Sequence, residues 1–221
     1  LIHSIPYSGL RAARARTYHA DETTHHADET DDTLYVTARV GGLFAFSLTS
    51  PYSPPFVFNK STTCLEGQDM DPSNRYLALT DPCRGDVYVF DSVSWKVSTS
   101  LRLWPTSGAL HVRWLNSTHL IISNPGRLWM GSTWGENTSS LSDGLVLVRL
   151  SADSTLSITG SVSSGHVNGT ESLTLLPSSI HSVMLGGFRS NTMDVVDLNT
   201  LSITAERTDE TWRQMVGVWD S

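Results

Sequence analysis

VYVFDSVSWKV, residues Val87–Val97, joins a run of apolar, β-prone residues to a polar turn and a second alternating segment. This order of parts is typical of a β-hairpin. Two later stretches repeat it, LVLVRLSADSTLSI at Leu145–Ile158 and MDVVDLNTLSI at Met193–Ile203. A weaker copy, LFAFSLTSPYSPPFVF at Leu43–Phe58, has a turn widened by prolines. The chain therefore contains one hairpin unit in four copies.

A second unit, made of a short strand, a polar turn and an apolar strand, precedes the last three hairpins. Its copies are Gln68–Asp81, His111–Ser123 and Glu171–Gly187. The hairpins recur at steps of 44, 58 and 48 residues when measured at Ser47, Asp91, Arg149 and Asp197. Four strands at about this period are typical of the blades of a β-propeller.

The strand composition leads to the same architecture. Val87–Phe90 and Leu145–Val148 are apolar at successive positions, so both faces of these strands need cover. Blades stacked face to face cover both faces of a strand, whereas a two-layer sandwich covers only one face of each strand. We therefore predict an all-β fold, a β-propeller of four-stranded antiparallel blades, with about four to five blades in this chain.

The blade pattern resembles a known family. DPSNRYLA at Asp71–Ala78 resembles the first turn and second strand of a WD40-type blade. VYVFD at Val87–Asp91 resembles the third strand, with Phe90-Asp91 and Val196-Asp197 in the place of that family's Trp-Asp. The resemblance is to a divergent, partial WD40-like propeller and covers roughly residues 33–208. It implies a scaffold that binds protein partners through its loops.

The chain divides into two parts by composition. Residues 1–32 form an N-terminal segment in which Thr17–Asp32, with its near-duplicate YHADETT and HHADETD, reads as an exposed acidic and His-rich loop. Residues 33–221 form the propeller, with a Gly/Ser/Asn-rich insertion at 125–143 and an opening strand of a further blade at Met215–Trp219. We expect a partial ring, or one completed by residues outside this chain; a self-closed ring of four or five blades is the alternative.

Composition and motifs argue against several classes of function. A net charge of -7 argues against a nucleic-acid binder, because such proteins neutralise phosphates with a basic face. No apolar run approaches the ~20 residues that span a bilayer. No nucleophile elbow or phosphate-binding glycine loop occurs, which favours a protein without catalytic residues or cofactor.

Metal and redox chemistry are also not expected. His25 and His26 with nearby carboxylates could hold a divalent ion, but adjacent histidines in a polar segment are more often solvated, so no metal site is predicted. Cys64 and Cys83 are too few for a zinc site built on cysteine alone. Free buried thiols are the default expectation for them, and pairing is left open.

One regularity points to a binding surface. Every link between the second and third strands of a repeat contains an arginine, and the residues are Arg39, Arg84, Arg127 and Arg189. In a propeller these links open on one face, where four guanidinium groups suit carboxylates or phosphates of a partner. Trp129 and Trp134 in the insertion are further partner-binding candidates, because exposed tryptophan is enriched at hot spots.

The function predicted from the sequence is a non-catalytic interaction scaffold or adaptor with acidic or phosphorylated protein partners. The alternatives are a propeller hydrolase, lactonase-like or glycan-processing, and a structural subunit of a large assembly. Four N-x-S/T sequons, at Asn59, Asn116, Asn137 and Asn168, would accept glycans in a secreted protein. Location is left open, with the cytoplasm or nucleus weakly favoured over secretion.

Overall fold

A computed structural model describes residues 10–16, 33–38, 42–50, 52–58, 64–103, 108–124, 144–163, 170–176, 181–187 and 192–208. Within these ranges the regular structure consists of sixteen β-strands in four antiparallel four-stranded sheets. The predicted all-β fold with four-stranded blades is confirmed. In the same ranges no helix is long and apolar enough to cross a bilayer.

The strands of each sheet pair in chain order. The first sheet contains β1 (Leu10–Arg16), β2 (Thr33–Ala38), β3 (Gly42–Ser47) and β4 (Phe56–Phe58). The second contains β5 (Gln68–Met70), β6 (Tyr76–Asp81), β7 (Asp86–Asp91) and β8 (Lys96–Arg102). The third contains β9 (Val112–Trp114), β10 (His119–Asn124), β11 (Gly144–Leu150) and β12 (Leu156–Ser163). The fourth contains β13 (Thr170–Leu175), β14 (Ser182–Gly187), β15 (Thr192–Asp197) and β16 (Ser202–Thr208).

The four sheets share one register. The sequence comparison treats one residue of each third strand as equivalent, and in every sheet that residue pairs with the first residue of the second strand. The pairs are Thr33 with Ser47, Tyr76 with Asp91, His119 with Arg149, and Ser182 with Asp197. The last three sheets also share a bulge between the third and fourth strands, at Val89/Phe90, Leu147/Val148 and Val195/Val196. A bulge at the same step in three sheets supports the internal repeat, because bulges are specific features of a sheet.

The sheets stack face to face, and the second sheet shows how. Tyr88 and Phe90 on β7 pack with Tyr35 and Leu43 of the first sheet. Val87 and Val89 point the other way and pack with Val146 and Val148 of the third. A further apolar cluster joins the third and fourth sheets, with Leu145, Val162, Leu173 and Leu185. All six residues of β7 are buried, as predicted for a strand with a sheet on either side.

The first strands of neighbouring sheets also lie side by side. Strand β5 contacts both β1 and β9. Met70, Trp114 and Leu175, at the ends of β5, β9 and β13, line one cavity. These strands therefore run in the same direction around a common axis, which is the radial arrangement of a β-propeller.

This direction gives the array two ends. We call the end with the links β2–β3, β6–β7, β10–β11 and β14–β15 the rim end, and the end with the β5–β6 turn the turn end.

Strand β1 falls inside the 1–32 segment and pairs with β2; the division at residue 32 stays a prediction. Thr17–Asp32, the 125–143 insertion and Met215–Trp219 lie outside the described residues.

Candidate interaction surface

Of the arginines predicted to bind a partner, the structure describes Arg84, at the rim end. With the observed strand bounds, Arg39, Arg84, Arg127 and Arg189 occupy the links β2–β3, β6–β7, β10–β11 and β14–β15. Arg84 lies within the described residues. Arg39, Arg127, Arg189, Trp129 and Trp134 lie outside them.

Arg84 is held at its backbone and half-exposed at its side chain. Its amide N donates to the main-chain oxygen and to Oδ1 of Asp81, both at 3.2 Å. Gly85 completes the turn with a φ of 68°, a backbone conformation that glycine adopts without steric cost. The guanidinium Nε lies 3.1 Å from Asp86 Oδ2, and 36% of the side chain is exposed. The turn thus fixes the position of Arg84 and leaves part of its charge facing solvent.

Asp86 binds a second arginine beside it. Arg102 donates from Nε at 2.8 Å and from Nη2 at 3.2 Å to the two oxygens of Asp86. The Tyr88 hydroxyl donates to the same carboxylate at 3.1 Å. Burial alone would raise the pKa of Asp86, but Arg102 and Tyr88 outweigh it and the pKa is lowered. Two guanidinium groups thus lie against the Asp86 carboxylate.

The two cysteines lie at the same end. Cys64 and Cys83 form a disulfide with a Cα–Cα distance of 5.9 Å, within the usual range for such bonds. The default expectation of free buried thiols is wrong. Glu66 and Gly67 exchange backbone hydrogen bonds with Thr80, which extends the pairing of β5 with β6 back toward Cys64. This extension brings Cys64 to the β6–β7 link, where Cys83 lies.

The turn end contains a cavity of about 400 Å³ at the ends of the first strands. Asp71, beside it, accepts hydrogen bonds from the amides of Ser73, Arg75 and Tyr76. Asp71 is one of two carboxylates in this segment, and it caps the turn.

The other carboxylate, Asp69, binds residues of the next sheet. It accepts from Arg113 Nη1 at 3.2 Å and from the Trp114 amide at 2.9 Å, across the boundary to the next sheet. The Trp114 indole also donates to the Asp69 main-chain oxygen at 3.1 Å. Sequence reasoning missed this link because its residues lie 44 and 45 positions apart and no local pattern connects them. Asp69 joins two blades at the cavity and holds Arg113 there.

Comparison with solved structures supports the propeller. The chain matches the β-propeller domain of Cps50 (Swd1) from Myceliophteria thermophila with a TM-score of 0.63 and 8% identity, over 80% of this chain and 56% of that one. It matches U3-55K with a TM-score of 0.59 and 11% identity, over 80% of this chain and 46% of that one. The first of these structures is itself a β-propeller domain. The chain thus spans about half the length of each.

Sequence comparison adds no family to this result. No family model matches the chain, and no curated protein matches it. At identities of 8% and 11% the structural likeness shows the fold alone. The chain has the β-propeller fold, built from blades of four antiparallel strands.

Proposed function

We propose that this chain is a non-catalytic scaffold or adaptor whose rim end binds an acidic or phosphorylated protein partner. The observation that carries the proposal is the register shared by the four sheets, which makes the four arginine-bearing links follow equivalent strand ends. Side chains on equivalent links of a radial array converge on one surface. The proposed binding residues are Arg39, Arg84, Arg127, Arg189, Trp129 and Trp134.

The chemistry of the described link supports this choice of partner. Arg84 and Arg102 share one carboxylate, Asp86, and both are part-exposed, at 36% and 50%. Guanidinium groups bind carboxylates and phosphates through paired hydrogen bonds, which a partner could complete on the exposed side. The chain as a whole carries a net charge of -7, so attraction to an acidic partner depends on this local surface and weakens as salt screens it.

The experiment compares two charge reversals of equal size. The first variant is Arg84→Glu/Arg189→Glu at the proposed rim. The control is Arg75→Glu/Arg149→Glu, two exposed arginines near the turn end. The probes are a fluorescent polyglutamate peptide and a phosphoserine peptide of the same length, and binding is measured by fluorescence anisotropy at low and high salt.

We expect the rim variant to bind the probes at least about tenfold more weakly than the unchanged chain, and the control to bind within about twofold of it. Far-ultraviolet circular dichroism checks that both variants fold. Equal losses in the two variants would show that only net charge matters. An unchanged affinity after reversal of all four rim arginines would remove the proposed surface.

A subunit of a larger assembly is the second candidate, and an exposed apolar patch favours it. Phe56 of β4 and Trp95 of the β7–β8 turn lie 4.7 Å apart between ring centroids, and each is 37% exposed. Val93 in the same turn is 64% exposed. Contiguous exposed apolar side chains often mark protein contacts. Val93→Glu/Trp95→Asn should release the chain from a large complex on a density gradient, whereas Ile158→Glu, at an exposed apolar position on β12, should not.

A further inference from the structure

Three side chains with metal-binding atoms meet at the rim end of the second sheet. Asp81 is the last residue of β6, Cys83 lies two residues later in the β6–β7 link, and Cys64 is brought beside them by the backward extension of β5. One ligand atom from each residue lies within 4.8 Å of the other two. The cluster combines two sulfurs with one carboxylate, a donor set that zinc accepts.

Asp81 provides the second, independent observation. The residue is fully buried, with 0% of its surface exposed. Its Oδ1 accepts from the amides of Cys83 at 3.1 Å and Arg84 at 3.2 Å, and it lies 3.4 Å from Cys64 Sγ. Its Oδ2 is buried and has no hydrogen-bond partner among the described residues. A buried carboxylate oxygen left without a partner is costly and rare, and it needs a physical explanation such as a bound ion.

We propose that Cys64, Cys83 and Asp81 form a binding site for one zinc ion when the disulfide is reduced. In this state the two thiolate sulfurs and the Asp81 carboxylate are the three protein ligands, and water takes the fourth position of a tetrahedron. The disulfide and the zinc site are then two alternative states of the same three residues.

The change from disulfide to zinc site takes two steps, reduction of the S–S bond and binding of the metal. A phosphine reductant takes an oxygen from water to become the phosphine oxide, and the S–S bond breaks to give two thiols. Zinc then displaces both thiol protons as two Zn–S bonds and one Zn–O bond form. Bonded sulfurs lie ~2.05 Å apart, whereas two sulfurs on one zinc lie about 3.7 Å apart, from Zn–S bonds of ~2.3 Å. A Cα–Cα distance of 5.9 Å accommodates this change by rotation of the two side chains.

The surroundings fit a site that is negatively charged overall. Zinc with two thiolates and one carboxylate carries a net charge of -1. The Arg84 amide already donates to Asp81, and the Arg84 guanidinium lies 3.1 Å from the neighbouring Asp86. The Cys83 amide lies 3.1 Å from Cys64 Sγ, where it can donate to the thiolate. A nearby cation and a backbone donor both favour the thiolate form.

The test uses the whole chain, reduced by a phosphine under argon, with cobalt(II) alone as a spectroscopic probe for zinc. We expect one cobalt per chain, with thiolate-to-cobalt charge-transfer absorption and the visible bands of tetrahedral cobalt. Zinc added afterwards should remove these bands by competition. The oxidised chain under the same conditions should show none of them.

Variants assign the ligands. Cys64→Ser and Cys83→Ser should each lose the charge-transfer absorption of the two-thiolate site. Asp81→Asn should weaken cobalt binding by at least about 10–100-fold, the loss typical of disturbing a metal site. Asp91→Asn, at another turn aspartate of the same sheet, is the matched control and should bind as the unchanged chain does.

Two results would overturn the proposal. One is a reduced, folded chain that shows no thiolate–cobalt absorption at metal concentrations up to about 1 mM, which corresponds to a binding free energy weaker than about -4.1 kcal/mol. The other is an Asp81→Asn variant that binds cobalt as tightly as the unchanged chain, because the Asp81 carboxylate would then not be a ligand. Neither result bears on the peptide-binding test of the rim arginines.

Discussion

The two ends of strand β6 carry the same dipeptide with different surroundings. Asp71-Pro72 begins the turn before β6, and Asp81-Pro82 begins the turn after it. Asp71 uses both carboxylate oxygens, with the Arg75 and Tyr76 amides on Oδ1 and the amide and hydroxyl of Ser73 on Oδ2. Asp81 Oδ1 accepts hydrogen bonds from the Cys83 and Arg84 amides, and its Oδ2 has no partner among the described residues. The same residue type therefore completes a turn at one end and leaves a ligand atom open at the other.

The two turns also differ in what else holds them. Other interactions at the rim end secure the Asp81 turn, among them the disulfide and the hydrogen bonds of the Thr80 hydroxyl with the Gly67 amide and the Leu110 oxygen. The turn end relies more on Asp71 itself. An aspartate that holds its turn with one oxygen can offer the other oxygen to a ligand, and the predictions below test this difference.

Gly67→Ala is expected to have the largest effect, because it disrupts the support of the rim end. A Cβ at this position would lie 2.4 Å from the Leu110 oxygen and 2.6 Å from Thr80 Oγ1. The first contact is with backbone of the neighbouring sheet, so relief requires the blades to separate, at a cost of about 3 kcal/mol or more. Urea unfolding measures the loss. Gly160→Ala, whose Cβ would meet the mobile end of Leu201, is the control and should cost clearly less.

Removal of the disulfide should have the next largest effect. The bond closes a loop between residues 19 positions apart, so its loss should lower the free energy of unfolding by about 2–3 kcal/mol. Cys64→Ser/Cys83→Ser, compared with the unchanged chain in thermal unfolding with and without reductant, checks this. The variant should not respond to reductant. A response in the variant equal to that of the unchanged chain would mean that the bond does not act on stability.

Paired amide substitutions compare the two aspartates directly. Asp71→Asn replaces an oxygen that accepts hydrogen bonds with an NH₂ group that cannot, and should cost about 2 kcal/mol. Asp81→Asn can place its NH₂ group at the Oδ2 position and keep Oδ1 as acceptor, so it should cost less than about 1 kcal/mol in the oxidised chain. Urea unfolding of both variants measures the difference. Equal costs would contradict the contrast between the two turns.

Acid titration should give the smallest effect. Asp91 caps its own turn through the Val93 and Ser94 amides and pairs with Arg75 at 3.0 Å. Burial alone would raise the pKa of Asp91, but the hydrogen bonds from Arg75 and the two amides outweigh it and the pKa is lowered. A lowered folded-state pKa stabilises the fold above the unfolded value of ~3.9, and this contribution is lost as pH falls through the folded value.

Chemical unfolding between about pH 2 and pH 5 follows this loss. Asp91→Asn should flatten the acid side of the stability curve, because the titrating group is gone. Asp153, at an exposed turn of the third sheet, also has a lowered pKa, because Ser151 and Thr155 donate hydrogen bonds to it. Asp153→Asn is therefore a second test and should flatten the same side of the curve. An identical slope in the unchanged chain and in Asp91→Asn would show that Asp91 adds nothing to acid stability.

Much of the blade could be predicted because its signal is local. The alternating runs, polar turns and repeated hairpins are short-range patterns, and the equivalent positions Asp91 and Asp197 pair with the first residue of the second strand, as expected of copies. The turn role of Asp71 was also predictable, because Asp-Pro with hydrogen bonds to the next few amides is a local motif. The position of Arg84 in the β6–β7 link was predictable from the same pattern.

The candidate metal site could not be predicted in this way. Pairing of Cys64 with Cys83 depends on how far β5 extends backward along β6, and register over that distance is a tertiary property. The open Oδ2 of Asp81 depends on which atoms surround a buried carboxylate. The contact of Asp69 with Arg113 crosses from one blade to the next.

The amino-acid sequence alone determined the all-β class, the four-stranded repeat and the apolar character of both blade faces, since these rest on alternation and turn residues within a few positions of each other. Only the tertiary structure decided the disulfide, the bond between blades at Asp69 and the different surroundings of Asp71 and Asp81. Those features join residues distant in the chain, and their geometry exists only after the sheets pair in register and stack.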